Sequence, residues 1–292
     1  MTSDAVALLA VCHFPPSGTA VDLAVSGGPD SVGLLLLALD AGLAVTAHHV
    51  DHHLRATSGL DARFVEDLGE TLGVAVVVHD VEVAPGPNLE ARARAHRRGV
   101  LPPGAMTGHT MDDLAETVLL NLLRGAGVDG LSPMVGDPTK PLLAVRRHDL
   151  HALVAARGIA ARHDETNDSP AFWRNRVRHE LVPLADDIAA RDVVPIIARQ
   201  AVLVHDERRW LDELAALDGR PLGEVDCREL RAWPRAQLRR WLRERLRDGD
   251  EAHPPSAAEV ERAIRVVEGD ATAAELTGGR RLSRRHQFLR LG

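Results

Sequence analysis

The chain has no tyrosine, and its four tryptophans and four phenylalanines bring aromatics to only 3% of 292 residues. Its core must therefore be built from Ala, Val and Leu, for which a hydrophobic content of 45% is sufficient. Two cysteines, Cys12 and Cys227, support neither a disulfide framework nor a cysteine metal cluster, which fits a reducing cytoplasm. No apolar run approaches the roughly 18 residues that a membrane span requires. The N-terminus lacks the basic start and long apolar stretch of a secretory signal, so a cytoplasmic location is expected. A net charge of −7 argues against a wholesale polyanion binder, although unevenly placed arginines leave room for a local basic surface. No internal repeat or low-complexity tract is visible, and the length allows one large domain or two ordinary ones.

What is present is concentrated in Ser26-Gly27-Gly28-Pro29-Asp30-Ser31. An apolar run, Val21 to Val25, precedes it and reads as a buried strand. Val32 to Leu39 follows and reads as the body of a helix. A strand, a glycine turn and a helix N-terminus together make an anion site, because bare backbone amides can approach phosphate oxygens and the helix dipole favours negative charge. Ser26 and Ser31 add hydroxyl donors. Asp30, a carboxylate beside phosphate, makes sense if Mg²⁺ lies between them. The Walker pattern is excluded by the absence of a nearby lysine, and the dinucleotide pattern by the glycine spacing. The six-residue loop resembles the pyrophosphate loop of the N-type ATP pyrophosphatases, which cleave ATP between its α and β phosphates.

Strands are expected at Val21–Val25, Ala44–His48, Val74–Val78 and Ala105–Gly108. Helices are expected at Ser31–Ala41, Ser58–Leu72, Asn88–Val100 and Met111–Leu123. This alternation predicts an α/β fold, a Rossmann-like parallel sheet with flanking helices and a ligand at the carboxyl ends of the strands. Beyond Arg178 the pattern becomes helical and arginine-rich. Ser256–Val267 reads as a further helix and Leu276 to Leu291 as a hairpin about Gly278-Gly279. A catalytic domain over 1–185 and a smaller, mainly helical accessory domain over 186–292 are expected.

Thr107-Gly108-His109-Thr110-Met111-Asp112-Asp113-Leu114-Ala115-Glu116 forms a second concentration of chemistry. Thr110 can cap a helix, and His109, Asp112, Asp113 and Glu116 fall within about two turns. Such a set suits an ammonium group, a metal or a proton-accepting base. Capping and a first-turn acidic bias would explain Asp112 and Asp113, but not His109 or Glu116 as well. Arg124, in a glycine-rich exit from that helix, and Arg174, Arg176 and Arg178 around Asn175 offer forked donors for phosphate or carboxylate. Three arginines at alternate positions around an asparagine are unusual on a simple surface, and a solvated basic helix is the alternative reading. The same two readings apply to the arginines from Arg228 to Arg247, as a phosphate-contacting stripe or a solvated surface. The histidines of His48-His49-Val50-Asp51-His52-His53 alternate in direction along a strand end, so a nucleotide-pocket rim suits them better than a zinc cluster.

Taken in order, these segments make the chain resemble the tRNA(Ile)-lysidine synthetase family. The likeness rests on Ser26 to Ser31, His49-Val50-Asp51-His52 with Leu54-Arg55, Glu90-Ala91-Arg92, Gly108-His109-Thr110 to Asp112-Asp113 with Glu116-Thr117, Leu123-Arg124-Gly125-Ala126-Gly127, Pro141-Leu142-Leu143, Asp164 to Asn167, and Arg174-Asn175-Arg176-Val177-Arg178-His179. It departs at His96, where the family often has an aromatic, and its C-terminal part resembles the compact version with one helical accessory domain. The resemblance implies ATP and Mg²⁺ as cofactors, with an isoleucine tRNA bearing a CAU anticodon and free L-lysine as partners and no membrane. A homodimer is one option for the assembly. Nucleotide contacts would come from Ser26, Gly27, Gly28, Pro29, Asp30 and Ser31, with Val50 and Gly108, and Asp30 would hold the metal. Asp30, His109 and Asp113 would be catalytic. His109, Asp112, Asp113, Glu116, Arg124, Arg174, Arg176 and Arg178 would bind the substrates. The rivals are a tRNA thiolase, which needs paired cysteines that are absent here, an amidating synthetase, and a nucleotide-binding module without catalysis.

Overall fold

The computed structural model describes residues 3–51, 58–81, 99–162, 172–216, 219–247 and 255–292. They fall into two compact units, Met1–Ala126 with Gly130–Val202, and Gly127–Asp129 with Leu203–Gly292. The expected helix at Asn88–Val100 lies outside the described residues except for its last two positions, as do His52, His53 and the segment Asp164 to Asn167.

The first unit holds three parallel strands, β1 (Ala20–Ala24), β2 (Ala44–Asp51) and β3 (Ala75–Asp80), hydrogen-bonded in that order. Ala20 pairs with Ala44 and Thr46 with Ala75. The strand expected at Ala105–Gly108 is reduced to one parallel bridge between Met106 and Leu23. Met106 exchanges two backbone bonds with the edge of β1, but the next amide, Thr107 N–H, donates to Thr139 O instead of continuing the ladder. Gly104, at φ 84°, breaks the extended backbone on the other side.

This unit carries the helices α1 (Ser3–Leu9), α2 (Pro29–Asp40), α3 (Ser58–Leu72), α4 (Met111–Leu123) and α5 (Arg147–Ala156), of which α2, α3 and α4 are expected from the sequence pattern and α1 and α5 are not. Val32 through Ala38 of α2 are all buried, as expected of a helix that is apolar on every side. α3 packs on β2 and β3, while α2 packs on α1 and α5. The contact with α5 is close because Gly33 has no side chain: a Cβ there would lie 2.5 Å from Leu150 Cδ1. Further on, α6 (Trp173–Arg176) and α7 (Val182–Ala189) flank a π-helical turn over Val177–Leu181. Such turns insert an extra residue and often occur at functional sites.

The long helix α8 (Val194–Ala216) runs from the first unit into the second. The second unit adds α9 (Cys227–Leu230), α10 (Arg235–Arg245), α11 (Ala257–Glu268) and the strands β4 (Ala273–Glu275), β5 (Arg281–Arg285) and β6 (Phe288–Leu291). Its core is built on Trp241, Leu242, Ile264, Val267, Leu282 and Leu289. A capping box between Ser256 and Glu259 starts α11, and Gly269 in the left-handed region ends it. The expected single hairpin is a three-stranded antiparallel meander. Its second turn, at His286-Gln287 with φ 51° and 67°, uses two non-glycine residues in the left-handed region, so no glycine marks it in the sequence. The parallel sheet with flanking helices and the mainly helical second region agree with the fold read from the sequence.

Candidate active site

The loop Ser26–Ser31 connects β1 to α2 in the expected strand–turn–helix arrangement. Gly27 adopts φ 87°, a conformation that a residue with a Cβ rarely takes. Ser31 Oγ ties the loop together: it donates to Gly28 O at 2.9 Å and accepts from Ser26 N–H at 3.1 Å. Gly28 is the N-cap of α2 with Pro29 just inside, and no side chain caps the helix. Its first-turn amides and dipole therefore serve the loop, where an anion would sit. Arg162 N–H braces the loop from outside through Gly27 O.

A second backbone closes over it. A Cβ on Gly108 would stand 2.5 Å from Asp30 O and 2.8 Å from its carbonyl carbon, so only glycine permits this approach. The chain then turns into α4. Thr110 is the N-cap, and a capping box joins it to Asp113, whose Oδ2 accepts from Thr110 N–H at 2.8 Å. Asp112 reaches across to α5, accepting from Arg147 N–H at 2.7 Å and from the Arg146 guanidinium. His109 Nδ1 lies 2.6 Å from Thr107 Oγ1, which fixes its ring.

Beneath this turn, three guanidiniums converge on two buried carboxylates. Glu116, 2% exposed, accepts from Arg147 Nη1 at 2.8 Å, Arg174 Nε at 3.0 Å and Arg178 Nε at 2.7 Å. Asp113 Oδ1 accepts from Arg147 Nη2 at 2.8 Å and Arg174 Nη2 at 2.9 Å. Burial alone would raise the Asp113 pKa, but Arg147, Arg174 and the Thr110 amide hold it down at about 2. Because the folded value lies below the unfolded one, this group stabilises the fold above about pH 4 and loses that contribution as pH falls toward 2. Denaturant unfolding between pH 5 and pH 2.5 is expected to show about 2 kcal/mol of acid destabilisation that an Asp113→Asn variant lacks.

Arg147 extends the cluster to the phosphate loop. Its Nε is 3.7 Å from Asp30 Oδ2, and one turn along α5 His151 Nε2 is 2.8 Å from Asp30 Oδ1. A cavity of about 290 Å³ joins these parts: Ser26, Asp30 and Ser31 line one wall, His48, Val50 and Leu101 another, and Thr107, Gly108, His109 and Asp113 the rest. Of these, His48 is held by Asp22 at 2.8 Å and His79 at 2.9 Å, whereas its neighbour His49 bonds Val25 O.

A sequence model of the PP-loop domain matches residues 5–185. A tRNA(Ile)-lysidine synthase from Rhodococcus erythropolis is 38% identical over 241 residues, covering 78% of this chain and 74% of that protein. One from Nocardia farcinica is 34% identical over 279 residues, covering 91% and 86%. The chain belongs to the tRNA(Ile)-lysidine synthase family. A Thermus thermophilus relative of the same description is 46% identical over 179 residues, but the match covers 56% of this chain and only 35% of that longer protein. Among solved structures, a U34-tRNA thiolase from Methanococcus maripaludis shares the fold, with a TM-score of 0.53 at 15% identity over 70% of this chain and 76% of that one.

In this lysidine synthase family member, Ser26, Asp30, Ser31, Val50, Gly108, His109 and Asp113 line one cavity. Arg174 and Arg178 face inward to Asp113 and Glu116 rather than outward to solvent. Arg176, between them, pairs with Glu180 on the exposed side. Arg124 lies over the exposed ring of Trp173, 5.8 Å from its centroid. Arginines of the 228–247 stripe engage carboxylates of their own unit: Arg235 and Arg239 pair with Glu261, and Arg240 and Arg243 with Asp129. The reading from sequence missed Arg147 and His151. Their i, i+4 spacing puts both on one face of α5, but only the α2–α5 contact at Gly33 turns that face toward Asp30.

Proposed function

We propose that this protein ligates free lysine to the wobble cytidine of the CAU-anticodon isoleucine tRNA, forming lysidine. The observation that carries the reading is the single cavity joining the anion loop to His109 and Asp113. ATP would first adenylate the carbonyl oxygen at C2 of the cytidine. The amides and hydroxyls of Ser26 to Ser31 would hold the departing pyrophosphate. Mg²⁺ is commonly held by one or two carboxylates and substrate phosphates, a donor set that Asp30 beside the loop fits. Bound there, the ion would neutralise charge that develops on the leaving group.

The ε-ammonium of lysine is not nucleophilic until it loses a proton. His109, oriented by Thr107, is the proposed base, and Asp113 and Glu116 are the anions that draw the ammonium in. Asp112 supports this wall through Arg146 and Arg147. Arg174 and Arg178 hold the acidic pair in place, while Arg176 and Arg124 present guanidiniums to the RNA. The amine then displaces AMP. The catalytic domain over 1–185 and the accessory tRNA-binding domain over 186–292 are likewise our reading, as are the cytoplasmic location and a homodimeric assembly. Sulfur transfer is not favoured. The Cys12 thiol donates to Leu8 O and is pushed up to about 12 by burial, and Cys227 lies in the other unit.

The test is incubation with ATP, Mg²⁺, radiolabelled lysine and the unmodified tRNA transcript. Acid-stable, ATP-dependent label on the tRNA is expected, falling at least about 100-fold in Asp30→Ala, within the range for loss of transition-state electrostatics. ATP cleaved to AMP without lysine incorporation would overturn the assignment of the nucleophile.

A further inference from the structure

The acidic pair proposed to receive the lysine ammonium is already occupied. Asp30, Asp113 and Glu116 face Arg147, Arg174 and Arg178, so the cluster is balanced, three charges against three. An arriving ammonium can take lone pairs on Asp113 or Glu116 only if a guanidinium gives them up. Arg174 and Arg178 have no ion pair with Asp30 among the described contacts. Arg147 does, and of the three it alone reaches both Asp30 and the acidic pair. Its Nη1 and Nη2 hold Glu116 and Asp113. Its Nε is buried without a hydrogen-bond partner, 3.7 Å from Asp30 Oδ2. A donor left unsatisfied at that distance from the loop is poised for an anion entering there.

We propose that Arg147 is a positioning residue that couples the two substrates: ATP phosphates draw its guanidinium toward the loop, releasing Asp113 and Glu116 for lysine. This rests on the lysine-binding reading above. Its backbone is anchored while the side chain shifts, because Arg147 N–H is fixed on Asp112. Lysine would therefore bind well only after ATP, and free lysine would not block the empty enzyme. Coupling between ligands is reciprocal, so lysine would tighten ATP by the same factor.

The experiment is calorimetric titration of L-lysine into the full chain, with and without an ATP analogue carrying a methylene between the α and β phosphates. In the wild type the analogue is expected to tighten lysine about tenfold, within the usual range of coupling. In Arg147→Gln the two lysine affinities become equal. Arg147→Lys keeps the charge and so guards against misfolding, but one ammonium cannot span both carboxylates and the loop, and its coupling falls below wild type. A purely structural role would change both affinities and leave their ratio intact, so full coupling in both variants overturns the proposal. Wild-type lysine binding that is equal with and without the analogue also overturns it, while leaving the lysine site standing. No lysine binding under either condition overturns both.

Discussion

Glu116→Gln is expected to lower the stability of the first unit by about 3 kcal/mol, because removing one partner of a buried ionic cluster leaves the opposite charges uncompensated. The carboxylate is 2% exposed and shared by Arg147, Arg174 and Arg178. The estimate sits at the low end of the usual range since Arg174 and Arg178 keep side-chain exposures of 32% and 25%, so water relieves part of the imbalance. A shift of this size lowers Tm by about 6–12 °C for a unit of this length. The sign is diagnostic. Adding Arg178→Met should recover part of the loss, because the second change removes one of the stranded charges. Differential scanning calorimetry of both single variants and the double variant checks this, and a drop in Tm that simply adds in the double variant would contradict the ionic explanation.

Gly108→Ala is the second large effect, and it reaches the nucleotide as well as global stability. The new Cβ would meet backbone, Asp30 O at 2.5 Å and Asp30 C at 2.8 Å, and cannot be relieved by turning a side chain. Either the loop or the turn into α4 must move by several tenths of an ångström. Overpacking of this kind costs about 1–3 kcal/mol. Because the displaced atoms belong to the anion loop, affinity for an ATP analogue is expected to fall about 10–100-fold, the binding equivalent of that cost. Gly28→Ala is the internal comparison. Its Cβ would approach nothing nearer than Ser26 Oγ at 3.6 Å, and its φ of −73° suits alanine. Calorimetric titration of both variants separates a backbone clash from a general intolerance of side chains in the loop.

Much of this site is legible along the chain. Gly27, Gly28 and Ser31 are local: a strand that ends, a positive φ and a helix that begins decide their arrangement over six residues. Thr110 and Asp113 form the capping box that their three-residue spacing implies. The bounds of α3 and α4 agree with those read from amphipathic pattern and cap residues. The turn at His286-Gln287 was illegible because its left-handed backbone is imposed by strand pairing on residues with no preference for it. The strand expected around Met106 shrank to a bridge because a competing acceptor, Thr139 O, lies thirty-odd positions away in sequence.

Local order alone thus determined the anion loop, the capped helix that carries His109, Asp113 and Glu116, and the alternation that builds a parallel sheet. Each depends on neighbours within a few residues and on burial of one face. Tertiary structure decided what those groups meet. Whether Arg174 and Arg178 serve the solvent or the interior depends on the helix they face: Arg174 on α6 and Arg178 in the π-helical turn that follows both meet Glu116. The partnership of Arg147 and His151 with Asp30 joins residues more than a hundred positions apart. It exists because a glycine on α2 lets α5 pack close. Charge pairing at such range leaves no local pattern, since the energy that fixes it comes from burial and is realised only once the layers have assembled.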